Sequence, residues 1–424
     1  MYMGNVFIKR QLFNEIKEHL NSSEITLIVG PRQAGKTTLM KVIKDELEKK
    51  GEKTLFLSFD IEEHKEFFSS QAIFLKKINL EFGNKKGFVF VDEIQRKENA
   101  GLFLKGIYDS GINHKLIVSG SGSLELKEKI KESLAGRKRI FELNTLNFEE
   151  FVNFKTNYKY EDRILDFFEI EKIKTYQLLD EFLGFGGYPR VVLADSFEEK
   201  KKFIDEIYQS YIEKDISYLL GIKKTKSLSD LVKILASQIG NLINYSEIAS
   251  TLGISIATVK NYLWYLEKTF IIERITPYFR NIRKEITKAP QFYFKDLGLR
   301  NYILGVLGNL SNQRDAGFLF QNFIFNILKL KLKWTPGKIN FWRTKDGAEV
   351  DFVIIEGNQI IPVEIKYRQM KKIEISNSLK SFIKKYKPPK VFVVNLSYEE
   401  KIEFEGTQII YLPFWKFIFV NFKE

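Results

Sequence analysis

Residues 30–38 read GPRQAGKTT, with Gly30 and Gly35 bracketing a short loop that runs into Lys36, Thr37 and Thr38. An apolar run, EITLIVG, precedes it and an amphipathic helical pattern follows to about Lys49. That is a phosphate cradle in its strand, loop, helix setting: glycine leaves backbone N–H groups free to wrap phosphate oxygens, and the helix N-terminus adds partial positive charge. Gly30, Pro31, Gly35, Lys36, Thr37 and Thr38 are therefore expected to bind ATP. Lys36 is expected on the β- and γ-phosphates and the Thr37 hydroxyl on Mg2+.

A second apolar run, GFVFVDEIQ, ends in two acids. At the tip of a buried parallel strand, Asp92 would share Mg2+ with Thr37 and Glu93 would polarise the attacking water. A further strand, KTLFLSFD, ends at Asp60, and HKLIVSGSGS ends with Ser119 and Ser121. Those hydroxyls reach a γ-phosphate or its water in one reading and cap a helix in the other. Arg137, in SLAGRKRIFEL, is read as a catalytic arginine acting in cis or from a neighbouring subunit, against a plain basic cluster with Lys138 and Arg139.

The third chemical stretch is AEVDFVIIEGNQIIPVEIKYR. Period-two alternation sets Glu349 and Asp351 on one strand face and Glu364 and Lys366 together on the next strand. If the strands pair, three carboxylates and a lysine gather at one place. A ribbon with a solvated charged face would show the same alternation.

Around these residues the chain divides, on pattern, into a P-loop core at 1–146, a helical lid at 147–225 broken by GFGGYPR, a winged helix at 226–305 and a C-terminal α/β domain at 312–424. Within NYSEIASTLGISIATVKNYLWYLEK two helices meet at a turn near Gly253, the spacing of a helix-turn-helix. Val259, Tyr262, Leu263 and Leu266 should pack inward. Thr258, Asn261 and Tyr265 lie on another face that could enter a DNA groove, Lys260 is a further DNA-binding candidate, and Arg280, Arg283, Lys284 and Lys288 are expected as phosphate contacts in the wing. An interdomain packing role is the alternative. The last part orders as α-β-β-β-α-β, which resembles the PD-(D/E)xK nuclease core. There Asp351 and Glu364 would hold Mg2+, with the Ile365 carbonyl as a further ligand and Lys366 activating water.

Across its 424 residues the chain carries a net charge of +13, three histidines and no cysteine. Disulfides and thiolate metal sites are excluded, and an anionic partner, DNA first, is indicated. The first residues lack the apolar core of a signal peptide, and no run reaches the length of a membrane span, so a cytoplasmic protein is expected.

The motifs GPRQAGKTT, VFVDEIQ, SLAGR, GGYP, YFKDLGLR and EVDF with VEIK together resemble a family of bacterial and archaeal ATP-binding proteins, over essentially the whole chain. The resemblance implies an AAA-type ATPase core (a parallel α/β sheet with flanking helices), a winged helix and a restriction-endonuclease-like C-terminal domain. It also implies a departure: the family usually offers a glutamate where this chain has Gln321. A neutral amide is a weaker metal ligand than a carboxylate, so the cutting site is expected to be impaired or rescued by Glu349. The expected function is a Mg2+-dependent ATPase that engages DNA, with a nucleotide-switched regulator as the alternative. An arginine acting in trans would require a homo-oligomer.

Overall fold

A computed structural model describes residues 7–121, 134–211, 226–279, 281, 283, 285, 288–310 and 316–422. The chain divides into two compact units: the first takes residues 1–157, 187–225 and 261–271, and the second 158–186, 226–260 and 272–424.

The first unit is built on a five-stranded parallel sheet of β1 (Ile25–Gly30), β2 (Thr54–Ser58), β3 (Phe88–Asp92), β4 (Lys115–Ser121) and β5 (Lys138–Glu142), in the order β2-β3-β4-β1-β5. The continuous apolar runs ITLIVG and FVFVD are buried at every position, as strands covered on both faces must be. Two apolar clusters form this unit's core: Leu27, Val29, Val89, Val91 and Val118 belong to one, Ile28, Phe90, Ile117 and Phe141 to the other. The Lys36–Lys49 helix, with Leu39, Met40, Ile43 and Leu47 inward, packs in the second.

The second unit holds a six-stranded mixed sheet of β8 (Lys338–Arg343), β9 (Glu349–Glu356), β10 (Gln359–Ile365), β11 (Lys390–Asn395), β12 (Glu400–Phe404) and β13 (Thr407–Pro413), ordered β12-β13-β11-β10-β9-β8. β9 and β10 are antiparallel neighbours, and β10 runs parallel to β11. The helix Ala316–Lys331 precedes β8 and the helix Asn377–Tyr386 links β10 to β11, which gives the α-β-β-β-α-β order read from the sequence. A separate antiparallel pair, β6 (Ile272–Ile275) and β7 (Gln291–Phe294), follows the helices Tyr245–Leu252 and Ile256–Lys268.

The compact units group the expected domains differently: residues 226–260 and 272–305, read as a separate winged helix, fall in one unit with the C-terminal domain, and two further stretches change sides. Residues 158–186, expected in the lid, belong with the second unit, because the Asn301 side chain donates to the carbonyls of Leu183 and Gly184 and Gly184 passes against Gly308. The helix Ile256–Lys268 is itself shared out, residues 261–271 falling in the first unit. Among the described residues no helix is long and apolar enough to cross a membrane.

Candidate nucleotide site and a carboxylate–lysine cluster

The loop after β1 turns through Gln33 at φ 57° and Gly35 at φ 94°, both left-handed, before the Lys36–Lys49 helix begins. Gly35 is the position where glycine's conformational freedom is required. Gly30 is glycine for a different reason: a Cβ there would sit 2.0 Å from the Leu143 carbonyl oxygen, so the residue is fixed by packing against the chain beyond β5. Lys36 is buried, and its ammonium donates to the carbonyls of Gly30 (3.1 Å) and Pro31 (2.8 Å).

Asp92 ends β3 and is 2% exposed. One carboxylate oxygen accepts from the Thr37 hydroxyl at 2.8 Å and the other from Ser119. Val91 is level with Val118 in the register of β3 and β4, which puts Ser119 beside Asp92. The Ser119 oxygen in turn accepts the Glu93 backbone N–H at 3.3 Å. Ser119 thus orients both acids. The Ser121 side chain lies outside the described residues.

Glu93 adopts φ 58°, a left-handed conformation that a non-glycine residue holds only when its surroundings enforce it. Its carboxylate accepts from the Gln95 amide. Burial pushes its pKa up, Lys36 opposes this, and Asp92 and Asp60 add to the rise. A carboxylate of raised pKa beside a metal-type aspartate suits a water-activating base.

Thr37 and Asp92 converge on one point with two hard oxygen donors, so the residues present fit Mg2+. Other residues close on the loop without having been singled out from the sequence. Arg10, buried, donates to the Ala34 carbonyl (2.9 Å), the Asn144 carbonyl (2.6 Å) and Glu150 (3.1 Å). Tyr211 accepts the Arg32 N–H at 3.1 Å and a bond from the Tyr188 hydroxyl at 3.3 Å. Arg190 donates to Gln33 (3.2 Å) and Glu206 (2.8 Å) over the Phe203 ring. Tyr188 and Arg190 belong to GFGGYPR, whose glycines were the available signal; nothing in the sequence flagged Arg10.

Arg137 is placed elsewhere. It immediately precedes β5, and its carbonyl accepts from Ile25 at the start of β1, whereas the phosphate loop leaves the far end of β1. Its guanidinium pairs with Asp109 at 2.7 and 3.4 Å. The expected reach to the γ-phosphate in cis is not available from that end of the sheet.

In the second unit, Phe352 lies opposite Val363 in the β9–β10 register, which sets Asp351 beside Glu364. Asp351 accepts the Gln321 amide at 2.9 Å and the Ile365 backbone N–H at 2.7 Å. Glu364 accepts the Ser376 hydroxyl at 2.9 Å and pairs with Lys366 at 2.6 Å. Burial, with the Glu364 charge alongside, pushes the Asp351 carboxyl up to about 7, partly offset by the Ile365 N–H and Lys366. Glu349 is bonded to Arg343 (3.2 Å) and Gln291 (3.1 Å), while its charge adds a smaller rise at Asp351. The expected gathering of three carboxylates is therefore not formed, and no group of three metal-binding side chains exists among the described residues. Donor N–H groups and an ammonium already face the oxygens that would ligate Mg2+, so this arrangement does not fit the ion.

Val259, Tyr262, Leu263 and Leu266 are buried, while Lys260 and Asn261 are exposed and Thr258 is half-buried and bonded to Ser255. Lys260 lies over the Tyr245 ring, 5.7 Å from its centre. Arg283 and Lys288 are exposed; Arg280 and Lys284 lie outside the described residues.

Residues 22–152 match the AAA domain family, residues 176–309 a domain of unknown function (DUF8612) and residues 316–416 a second domain of unknown function (DUF4143). Among curated proteins, the chain is 25% identical to an uncharacterised protein of Haemophilus influenzae, covering 97% of this chain and 99% of that one. It is 29% identical to an uncharacterised protein of Methanocaldococcus jannaschii, covering 95% and 90%. Solved structures that align include the Aeropyrum pernix ORC1 protein in complex with DNA, at 12% identity and a TM-score of 0.31 over 70% of this chain and 92% of that one. The Thermotoga maritima RuvB protein aligns at 17% identity and a TM-score of 0.31, over 63% and 90%. The chain thus resembles an AAA domain in its N-terminal part and a DUF4143 domain in its C-terminal part, and the two relatives named, one bacterial and one archaeal, are matched over 99% and 90% of their own length.

Proposed function

We propose that the protein is a Mg2+-dependent ATPase that couples ATP binding and hydrolysis to engagement of DNA. The observation that carries the ATPase reading is the convergence of Thr37, Asp92, Ser119 and Glu93 at the ends of β3 and β4, beside the loop that holds Lys36. Thr37 and Asp92 would hold Mg2+, which supplies charge neutralisation for the phosphates when bound. Lys36 and the backbone N–H groups of 30–37 bind and orient the nucleotide, Glu93 takes the proton of the attacking water, and Arg190 and Tyr211 tie residues 187–211 to the same loop. The DNA part rests on the net charge of +13 and on the exposed Lys260 and Asn261.

For the C-terminal unit, the Gln321 amide on Asp351 and the pairing of Glu349 with Arg343 favour a platform that does not cut. The deciding experiment measures ATP turnover, with and without duplex or single-stranded DNA, beside the Glu93→Gln variant. Turnover that is abolished in the variant and altered by DNA is the expected result. Unchanged turnover in the variant overturns the assignment of the base, and indifference to DNA at low salt overturns the coupling.

A further inference from the structure

We propose that one face of the Asn377–Tyr386 helix is a phosphate-binding track for a nucleic-acid backbone, an inference that rests on the reading of nucleic acid as the partner. Asn377, Lys380, Ser381, Lys384 and Lys385 line a shallow open groove of about 490 Å³. They recur on successive turns, while Leu379, Phe382 and Ile383 on the other side of the helix are buried against the sheet. At 1.5 Å per residue the row from Asn377 to Lys385 extends ~12 Å, the length of roughly three phosphates along one strand of a duplex.

The charge there is only weakly opposed. Between Lys366 and Lys390 the chain carries nine lysines and arginines against a single acid, Glu374. Arg368 neutralises that glutamate and Lys366 pairs with Glu364. Lys371, Lys372, Lys380, Lys385 and Lys387 form no ion pair among the described residues, and Lys384 has only an exposed Glu405 at 3.6 Å. The Lys385 ammonium is near the Tyr386 and Trp342 rings, 5.2 and 5.9 Å from their centres. Lys380, Lys384 and Lys385 along one helix face, with Lys371, Lys372 and Lys387 near in sequence at its two ends, cost self-repulsion in the free protein that a polyanion relieves. The residues lining the groove are three lysines, an asparagine and a serine, polar heads on short or aliphatic stems, which fits phosphates better than an apolar peptide. By contrast, the helix Ile256–Lys268, favoured from the sequence, offers Lys260 and Lys268 against Glu267.

The track begins beside the Asp351 and Glu364 pair, since Ser376, which caps the helix by accepting the Leu379 N–H at 3.1 Å, also donates to Glu364. A backbone lying on it would pass the carboxylates without a metal to meet it.

The test is a salt series of binding to fluorescein-labelled duplex and single-stranded DNA, using the full chain and a Lys380→Ala/Lys384→Ala/Lys385→Ala variant. Three lost phosphate contacts should lower the log–log salt slope on duplex by about 2.7, at ~0.9 per contact, with ATP turnover unchanged. The corresponding triple Lys→Arg variant should keep the slope, which separates charge from a folding defect. A Lys260→Ala/Asn261→Ala variant runs alongside. If that variant loses DNA while the helix variant binds with an unaltered slope, the track is overturned and the DNA reading stands. If the wild-type chain binds no DNA at low salt, both are overturned, and lysine-dependent binding to phosphatidylserine vesicles in that case would assign the face to a membrane surface.

Discussion

The Thr37 hydroxyl donates to the Asp92 carboxylate over 2.8 Å, joining the first turn of the helix after β1 to the end of β3 two strands away in the sheet. That single bond fixes the distance between the phosphate loop and the acidic pair. The N–H of the neighbouring Glu93 is then held by Ser119.

Glu93→Gln should bind ATP as the wild type does and lose turnover by ~10²–10⁴, the usual contribution of a general base. Because burial raises the Glu93 pKa and the base works deprotonated, wild-type turnover should fall as pH drops through a value above the ordinary carboxylate range. A pH profile of the ATPase rate, with the variant's residual rate flat over the same range, checks this.

Arg10 and Glu150 form a buried pair, 7% and 6% exposed, and Arg10 also holds the Ala34 carbonyl in the phosphate loop. Without the guanidinium, Glu150 stays buried with no counter-charge, held only by the Gln11 and Asn147 backbone N–H groups, so Arg10→Ala should cost on the order of 3 kcal/mol in chemical denaturation. It should also weaken ATP binding. The double variant Arg10→Met/Glu150→Met should recover neither stability nor affinity in full: Glu150 also accepts the Gln11 and Asn147 backbone N–H groups, and the Ala34 contact stays lost.

Arg137 pairs with Asp109 at the surface, where solvent screening leaves such a pair little net worth. Arg137→Ala should therefore leave both stability and the ATP turnover of dilute protein near wild type. A loss of turnover that grows with protein concentration would place the arginine in a neighbouring copy's site.

Asp351 binds its proton more tightly in the folded chain than in the unfolded one, its carboxyl standing at about 7. Between the unfolded carboxylate range and that value, the folded state holds more protons, so this group lowers stability as pH rises toward and past 7. Asp351→Asn should remove that slope and stabilise the protein more at pH 8 than at pH 5. Denaturation midpoints at the two pH values are the measurement.

Wild-type protein should leave linear and branched DNA uncut in Mg2+ or Mn2+. Gln321→Glu places an anionic oxygen against Asp351 in exchange for an N–H donor, and should raise Mn2+ affinity measured by calorimetry. An unaltered affinity would show that Lys366 on Glu364, and not the amide, keeps the metal out.

The sequence by itself determined the residue set of the proposed nucleotide site, because a glycine loop and the helix after it are local: Lys36 and Thr37 follow the loop directly, and Asp92 and Glu93 end the same apolar run. It also determined the α-β-β-β-α-β order and the inward face of Val259, Tyr262, Leu263 and Leu266, which follow from period alone. What joins distant segments was decided by the tertiary structure. Ser119 reaches Asp92 because β4, fourth in the chain, lies between β1 and β3 in the sheet. Arg137 lies away from the phosphate loop because parallel strands put all their starts on one edge, a fact that motif spacing does not carry. Gly30 answers to the Leu143 carbonyl, and Arg10 crosses more than a hundred residues to Glu150. The cluster of Asp351, Glu364 and Lys366 was legible as a set of residues. Whether those oxygens face a metal or hydrogen-bond donors depended on Gln321 from a separate helix and on Arg343 from the adjoining strand, and only packing brings those side chains to bear.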